Sequence, residues 1–298
     1  MNHRPKLLIT GASGQVGAEF QALADQFPQF DFHFTTRKEL DIGEVQQVRE
    51  LFETQHYDYC INCAAYTAVD LAEKERELAE KINITAVENL ATICAKQQIP
   101  LIHFSTDYVY HGSQNRPFCE DDPTFPEGIY AATKLAGEAA ALKLNAHTMI
   151  IRTSWVYSPF GHNFVKTMLR LGQQRPELSV VFDQVGTPTY AYDLALAVLN
   201  ILQQVTQGKI TADQLSGIFN YSNEGVTSWY DFALAIFEIR NLNCAVVPIE
   251  SKDYPTPASR PFYSVLNKGK IKRTFDLNIP HWRDRLMHCL DRLPKTIS

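Results

Sequence analysis

Short apolar runs alternate with helical patterns along the first half of this chain, and this alternation constrains the fold more than any other feature. The predicted strands span residues 6–10, 30–35, 59–64, 101–105 and 148–153. The predicted helices span residues 19–25, 42–55, 76–98 and 130–144. Regular exchange of strand and helix predicts a parallel sheet with helices on both faces, which is a doubly wound α/β fold.

Beyond Trp155 the alternation becomes irregular and prolines interrupt the chain. This part predicts a smaller C-terminal lobe, interleaved with further elements of the main sheet near residues 192–204 and 218–221. We therefore expect a main domain of residues 1–153 plus about 187–221. The lobe would then comprise residues 154–186 and 222–298.

A glycine-rich loop follows the first predicted strand and opens a helical pattern. Its sequence is Gly11-Ala12-Ser13-Gly14-Gln15-Val16-Gly17. Glycines in this position let the backbone approach a pyrophosphate, although the same spacing also closes ordinary strand–helix turns. The loop predicts a Rossmann-type fold in which Gly11, Gly14, Gln15, Val16 and Gly17 bind a dinucleotide.

A tyrosine and a lysine stand four residues apart in the segment Tyr130-Ala131-Ala132-Thr133-Lys134. On a helix this spacing places the phenol and the ammonium group on one face. Either residue alone is common on exposed helices. Combined with a dinucleotide loop, the pair predicts hydride transfer at a carbinol or carbonyl carbon.

The end of the second predicted strand bears on the choice of cofactor. An acidic residue there would bind the adenine ribose hydroxyls and repel a 2′-phosphate, whereas this chain has Thr35-Thr36-Arg37-Lys38. The guanidinium of Arg37 suits a phosphate, and the alternative is a solvated surface cation. NADPH is therefore favoured, and NADH stays possible.

Charge and hydropathy exclude several classes of function. The net charge is -5 and no basic run occurs, so nothing favours binding to nucleic acid or to an anionic membrane. No apolar stretch approaches a transmembrane span, and the N-terminus lacks a signal-peptide core. We expect a cytoplasmic protein. Cys60 and Cys63 form a CxxC spacing within a predicted strand and are interpreted as structural thiols.

Several further segments stand out along the chain: Asp41-Ile42, Cys63-Ala64-Ala65-Tyr66-Thr67-Ala68-Val69-Asp70, Ser105-Thr106-Asp107-Tyr108-Val109, Tyr130-x3-Lys134, Arg152-Thr153-Ser154-Trp155-Val156-Tyr157, Asp183-Gln184-Val185-Gly186-Thr187-Pro188 and Pro257-Ala258-Ser259-Arg260-Pro261. Together they closely resemble the dTDP-4-dehydrorhamnose reductases, a family within the extended short-chain dehydrogenase/reductase superfamily. The resemblance spans nearly the whole chain in order, including the C-terminal lobe.

The resemblance implies reduction of the 4-keto group of a dTDP-sugar, dTDP-4-dehydro-6-deoxy-L-mannose, to dTDP-L-rhamnose. It assigns cofactor contacts to Asp41, Ile42, Cys63, Ala64, Ala65, Tyr66, Tyr130 and Lys134. It assigns substrate contacts to Thr67, Val69, Asp107, Tyr108, Trp155, Gln184 and Arg260. Some members are described as dimers bridged by magnesium. Here Glu19 matches one metal position and Tyr192 occupies another, so a homodimer is possible and we assign no metal.

The expected chemistry follows from the side chains. Reduction of a ketone needs a hydride at carbon and a proton at oxygen, and Tyr130 would supply the proton. We expect the ammonium of Lys134 and the nicotinamide charge to lower the pKa of this phenol. The resemblance implies that Lys134 also binds the nicotinamide ribose. Thr106 ends a predicted strand, where its hydroxyl can polarise the substrate carbonyl. The catalytic residues are thus predicted to be Thr106, Tyr130 and Lys134.

The residue after Thr106-Asp107 separates this chain from related dehydratases, which carry Thr-Asp-Glu and use the carboxyl pair to expel water. Tyr108 cannot serve as that base at neutral pH, so simple reduction is favoured. Two alternatives stay open. One is a non-catalytic subunit resembling the regulatory beta subunit of methionine adenosyltransferase, and the other is a reductase of a different nucleotide-sugar.

Overall fold

The computed structural model describes residues 4–112 and 114–294. Its strands are β1 (Lys6–Thr10), β2 (Asp31–Thr35), β3 (Tyr59–Asn62), β4 (Leu101–Thr106), β5 (Thr148–Thr153), β6 (Val156–Tyr157), β7 (Glu177–Val181), β8 (Val185–Gly186), β9 (Thr189–Tyr190), β10 (Gly217–Asn220), β11 (Thr227–Ser228) and β12 (Ala245–Ile249). Its α-helices are α1 (Gln15–Leu23), α2 (Val45–Thr54), α3 (Val69–Ala72), α4 (Arg76–Glu80), α5 (Ala86–Lys96), α6 (Gly128–Leu144), α7 (Phe164–Gln174), α8 (Ala191–Thr206), α9 (Trp229–Arg240), α10 (Gly269–Phe275) and α11 (Trp282–Asp291).

A six-stranded sheet in the order β10-β5-β4-β3-β1-β2 forms the centre of the molecule, and all its neighbouring strands are parallel. The predicted doubly wound Rossmann-type fold is therefore confirmed. The five predicted strands all form, with the third ending at Asn62. The helix predicted over 76–98 is built from α4, a π-helical turn at Lys81–Thr85, and α5.

Helices cover both faces of this sheet, as the sequence pattern requires. Successive residues of a strand point to opposite faces, so Leu7 packs with Phe20 of α1 and Leu194 of α8 on one side. Leu8 packs with Val48 of α2 and the α5 core on the other side. Every residue of β4 and β5 is buried, which is typical of central strands in parallel sheets.

A second hydrophobic core belongs to the C-terminal lobe. It includes Tyr157, Val165, Phe232, Trp282 and Leu286, from elements β6, α7, α9 and α11. Strands β7 and β12 pair in parallel beside it. The predicted division of the chain into a main domain (residues 1–153 plus about 187–221) and a lobe (residues 154–186 and 222–298) stays a prediction.

Helix α10 packs against the main sheet. Its Ile271 and Phe275 belong to the hydrophobic core of that sheet. The ring of Phe275 lies 5.0 Å from that of Phe219 in β10. Within residues 4–112 and 114–294, none of the helices is long and apolar enough to cross a membrane.

Candidate active site

The glycine loop connects β1 to α1 at the carboxyl edge of the sheet. Gly11 has a φ of 64°, in the left-handed region that side chains disfavour. A Cβ atom at Gly11 would lie 2.6 Å from the backbone nitrogen of Ala64, and one at Gly17 would lie 2.5 Å from the Gly11 carbonyl oxygen. Gly14 is the N-cap of α1. The glycines therefore let the loop pass close to the segment after β3 and lead into the N-terminus of α1, an arrangement that suits a pyrophosphate.

Gln15 connects this loop to the lobe. Its Oε1 accepts a hydrogen bond of 2.8 Å from Asn163 Nδ2, and its Nε2 lies 3.4 Å from the carbonyl oxygen of Val156. Val16 is partly buried and packs against the core of the main sheet. Gln15 thus places its polar atoms where the glycine loop meets the lobe.

Two exposed cations follow β2. The side chain of Arg37 is 68% exposed and makes a long contact of 3.4 Å with Asp41 Oδ2. Asp41 also accepts a hydrogen bond from the backbone of Gly43, and Ile42 is buried in the core. Arg37 is thus available to a phosphate at the end of β2, where an acidic residue would select the unphosphorylated ribose.

The segment after β3 borders the glycine loop. Cys63, Ala64 and Ala65 are partly exposed there, and burial raises the pKa of the Cys63 thiol well above its ordinary value. Tyr66 is buried and its hydroxyl donates to Glu75 over 2.7 Å. The segment's backbone and small side chains form one wall of the predicted dinucleotide site.

The three predicted catalytic residues come from two neighbouring elements. Thr106 ends β4, while Tyr130 and Lys134 lie one turn apart on α6. The side chain of Thr106 is close enough to Tyr130 to act on the pKa of the phenol, and its Oγ1 lies 3.2 Å from Asp107 Oδ1. Since the hydroxyl and the phenol meet at the carboxyl edge of the sheet, both can reach the same carbonyl oxygen.

The pKa of Tyr130 moves opposite to the expected direction. Burial raises it to about 12, and the nearby Thr106 side chain acts in the opposite direction. Burial also lowers the pKa of Lys134 to about 8. The ammonium of Lys134 donates a hydrogen bond of 2.7 Å to the backbone carbonyl oxygen of Phe104. At neutral pH Tyr130 is therefore a protonated phenol with a proton to donate.

The residues that follow Thr106 surround this phenol. The ring of Tyr108 lies edge-on to that of Tyr130, with the ring centres 5.9 Å apart. Asp107 is buried, and burial raises the pKa of its carboxyl group to about 7. Both residues are therefore close to the predicted catalytic group.

Arg260 lies in a lobe loop that reaches across to the main sheet. Its Nη2 is 2.8 Å from Asp70 Oδ2, and the backbone nitrogen of Ala258 donates to the same carboxylate over 3.2 Å. Thr67 and Val69, just before Asp70, are exposed and partly exposed. Burial acts to raise the pKa of Asp70, but the hydrogen bonds from Arg260 and Ala258 outweigh it and lower the pKa overall.

Trp155 adopts a left-handed backbone conformation with a φ of 47°, which is strained for an aromatic residue. Its indole stacks on Trp229 of α9, with the ring centres 3.6 Å apart and the planes at 10°. A Cβ atom at Gly186 would lie 2.7 Å from this indole, so only glycine leaves room for it. Trp155 and Trp229 together form an aromatic pair at the junction of sheet and lobe.

A cleft of about 620 Å³ lies in the lobe beside this pair. Its lining includes Gln184, Trp229, Tyr254 and Arg260. The side chain of Gln184 donates to Ser251 over 3.0 Å. The cleft thus brings together the predicted substrate residues Gln184 and Arg260.

Sequence reasoning assigned no role to Trp229, Tyr254 or Asp70. Asp70 lies in one of the segments that carry the family resemblance, so the sequence could have indicated it as a site residue. Trp229 and Tyr254 occur in no motif, and only the packing of the lobe places them beside the cleft.

Glu19 is engaged inside the protein. Its carboxylate accepts hydrogen bonds of 2.8 Å from Ser158 and from Arg292, and its side chain is fully buried. Tyr192 lies near the same guanidinium, whose carbon is 5.3 Å from the ring centre. In this chain a guanidinium provides the positive charge beside Glu19.

The fold and the site define a Rossmann-type protein of the short-chain dehydrogenase/reductase kind. The model of the family described as RmlD substrate binding domain matches residues 5–294. The chain belongs to this family.

Named relatives cover nearly the full chain. A dTDP-4-dehydrorhamnose reductase of Sinorhizobium fredii is 40% identical over 94% of each chain. The enzyme of that name from Escherichia coli is 38% identical over 98% of this chain and 99% of its own. The crystal structure of the Bacillus anthracis dTDP-4-dehydrorhamnose reductase in complex with NADP has a TM-score of 0.91, 36% identity, and coverage of 97% and 99%.

Proposed function

We propose that this protein catalyses the NADPH-dependent reduction of the 4-keto group of dTDP-4-dehydro-6-deoxy-L-mannose to dTDP-L-rhamnose. The observation that carries the proposal is the buried, protonated phenol of Tyr130 beside Thr106, which ends β4 at the carboxyl edge of the sheet. The names of the relatives, and the match of the family over nearly the whole chain, support the choice of substrate.

The cofactor site fits a dinucleotide. The loop has no room for a side chain at Gly11 or Gly17 and ends at the N-terminus of α1, where backbone N–H groups and the helix dipole favour a pyrophosphate. The backbone after β3 at Cys63, Ala64, Ala65 and Tyr66 borders the same space. A bound nicotinamide would supply the hydride.

Arg37 is the residue that would distinguish NADPH from NADH. Its side chain is 68% exposed and its contact with Asp41 is long, so little has to be broken when a 2′-phosphate binds. Charge-assisted hydrogen bonds to a phosphate are among the stronger polar contacts in proteins. The bound structure of the Bacillus anthracis relative contains NADP, which supports this preference.

The protein's own groups account for the proton. As the hydride reaches C4, the carbonyl π electrons move to the oxygen, which gains negative charge. Thr106 donates a hydrogen bond to that oxygen, and Tyr130 gives up its phenolic proton to it. Because burial raises the pKa of Tyr130 to about 12, the phenol keeps its proton until this step.

Lys134 would bind hydroxyl groups of the nicotinamide ribose and so hold the nicotinamide against the sugar. Its pKa of about 8 leaves it mostly charged at neutral pH. A charged donor at this point also stabilises the phenolate that forms on Tyr130 as its proton leaves.

The lobe cleft would hold the remainder of the nucleotide-sugar. Arg260 provides a cation for the diphosphate, since it is partly exposed and lines the cleft. Gln184 offers an amide to the base or ribose, and Trp155 with Thr67, Val69, Asp107 and Tyr108 would surround the sugar. Contacts so far from the reacting carbon can be used to orient it.

The deciding experiment uses the purified protein with NADPH and dTDP-4-dehydro-6-deoxy-L-mannose. We expect absorbance at 340 nm to fall in step with formation of dTDP-L-rhamnose, identified by mass and by NMR of the sugar. The matched control replaces dTDP by UDP or GDP on the same keto sugar. Turnover of such an analogue, with none of the dTDP-sugar, would assign the protein to a different nucleotide-sugar.

A further inference from the structure

A chain of buried polar side chains lies on the core side of Lys134. Thr10, Asn62 and His103 sit on the adjacent strands β1, β3 and β4, and each is about 1% exposed. Thr10 Oγ1 lies 2.7 Å from Asn62 Oδ1, Asn62 Nδ2 lies 3.1 Å from His103 Nδ1, and His103 Nε2 lies 3.4 Å from Lys134 Nζ. Of these residues, only Lys134 takes part in the mechanism above.

The orientation of the Asn62 amide is fixed by the backbone. The N–H group of Ala64 points at Asn62 Oδ1 over 3.1 Å, and a backbone N–H can only donate. The oxygen of the amide must therefore face Ala64 and Thr10. The amide nitrogen then faces His103 Nδ1 and donates to it.

This hydrogen bond selects the tautomer of His103. Burial lowers the pKa of His103 well below its ordinary value, and the charge of Lys134 lowers it further, so the ring is neutral. A neutral imidazole carries one N–H group. Because Nδ1 accepts from Asn62, the proton is on Nε2, which is the nitrogen that faces Lys134.

An ammonium group can only donate hydrogen bonds. The Nε2–H group of His103 is likewise a donor and not an acceptor. Protonated Lys134 therefore cannot hydrogen-bond to His103, although the two nitrogens are close. On the core side, among the described residues, the acceptor that the structure gives to Lys134 is the carbonyl oxygen of Phe104.

We propose that His103 is a positioning residue for Lys134. By presenting a donor to the ammonium group, it withholds an inward acceptor and leaves the remaining N–H bonds of Lys134 for hydroxyl groups bound at the predicted cofactor site. That these hydroxyls belong to a nicotinamide ribose rests on the proposed function, whereas the tautomer of His103 does not.

The other charged groups around Lys134 act differently. Glu138 on the same helix raises the pKa of Lys134, and it is paired with Arg152 of β5 over 2.7 Å. The charge of Asp107 contributes to raising the pKa of Tyr130, and Tyr130 contributes to raising the pKa of Tyr108. Among the described residues, His103 is thus the titratable group whose ring nitrogen lies next to Lys134 Nζ on the core side.

The first test reads the tautomer directly in the wild-type protein. With ¹⁵N-labelled histidine, two-dimensional NMR distinguishes a protonated from an unprotonated ring nitrogen, and the His103→Leu spectrum assigns the signals. We expect His103 to be protonated at Nε2 only, from pH 6 to pH 8. Protonation at Nδ1 in this range would overturn the proposal, whatever substrate the enzyme uses.

The second test gives Lys134 an inward acceptor. In His103→Gln the side-chain oxygen can accept from the ammonium, whereas His103→Leu removes the donor and offers no acceptor. We expect His103→Gln to raise KM for NADPH and to lower kcat/KM by about 10- to 100-fold, as small displacements of catalytic groups do. The alkaline limb of its pH profile should move upward, because an acceptor stabilises the charged lysine.

His103→Leu is the matched control. Compared with His103→Gln, it changes the packing at residue 103 more and the hydrogen bonding of Lys134 less. Its kcat/KM should fall several-fold less than that of His103→Gln, because leucine offers Lys134 no acceptor. If the two variants lose activity equally, or the leucine variant loses more, His103 has only a packing role. Wild-type protein without activity on the dTDP-sugar would instead contradict the proposed function and leave the tautomer measurement standing.

Discussion

Arg260 Nη2 lies 2.8 Å from Asp70 Oδ2, and this ion pair joins the lobe to the segment that follows β3. The pair is partly exposed, with 22% of the arginine side chain and 40% of the aspartate side chain accessible. A diphosphate in the cleft would compete with Asp70 for the guanidinium. The contact is therefore placed to change when a nucleotide-sugar binds.

Arg260→Ala should lower kcat/KM for the nucleotide-sugar and leave NADPH affinity, measured by fluorescence titration, nearly unchanged. A lost charge-assisted contact is worth about 1.5–3 kcal/mol, which corresponds to roughly 10- to 150-fold. Asp70→Asn is the matched control, because it frees the arginine and should strengthen substrate binding. Wild-type efficiency in the alanine variant would exclude Arg260 as a diphosphate ligand.

Tyr130→Phe should abolish turnover while NADPH affinity stays within a few-fold of wild type. The phenyl ring keeps the packing against Tyr108, but the proton donor is absent, and deletion of a general acid typically costs about 10²–10⁴-fold. Tyr263→Phe, which also removes one phenol, serves as the control and should remain active. Near-normal kcat in Tyr130→Phe would contradict the proposed mechanism.

The activity should depend on the protonation of Lys134. Its pKa is lowered by burial to about 8, whereas that of Tyr130 is raised to about 12. The active form, with both groups protonated, is present below pH 8, so kcat/KM should fall as pH rises through about 8. In Lys134→Arg, where the cation does not titrate, a lower but flat alkaline profile is expected; an unchanged limb would assign it to another group.

Arg37→Ala should raise KM for NADPH more than KM for NADH, because only NADPH has a 2′-phosphate to lose contact with. One charge-assisted contact to phosphate is worth about 1.5–3 kcal/mol. Arg49→Ala removes an exposed cation of α2 and should affect neither cofactor. Equal effects of Arg37→Ala on the two cofactors would show that Arg37 is a surface cation only.

The stability of the site depends on a buried ion pair beneath it. Arg152 and Glu138 are 3% and 2% exposed and lie 2.7 Å apart. Arg152→Met leaves a buried carboxylate unpaired, so the free energy of unfolding in urea should fall by about 3–5 kcal/mol. The double variant Arg152→Met with Glu138→Leu should regain part of that loss. A change below about 1 kcal/mol in the single variant would mean that the pair contributes little.

Much of the fold was predictable because its signals are local. Residues 6–10 and 148–153 form strands with the predicted bounds, since a short apolar run between turns has few other ways to be buried. The helix bounds were less accurate. The helix that the glycine loop opens begins at Gln15 and ends at Leu23, before the predicted end at Asp25.

The placement of the candidate site residues was more predictable than their protonation. The spacing of Tyr130 and Lys134 put both on one helix, and the strand end put Thr106 beside them. The pKa of Tyr130 was expected in the wrong direction, because it depends on burial by non-local neighbours. No spacing in the sequence reveals that Lys134 donates to the carbonyl oxygen of Phe104.

The sequence by itself determined the parallel sheet, the glycine loop and the family resemblance, because periodicity and motif spacing are properties of short segments. Tertiary structure alone decided that α10 packs on the main sheet, that Trp155 stacks on Trp229, and that Arg260 pairs with Asp70. These contacts join residues far apart in the chain. Their geometry follows from the packing of whole elements, which also sets the burial that shifts the pKa values of the site.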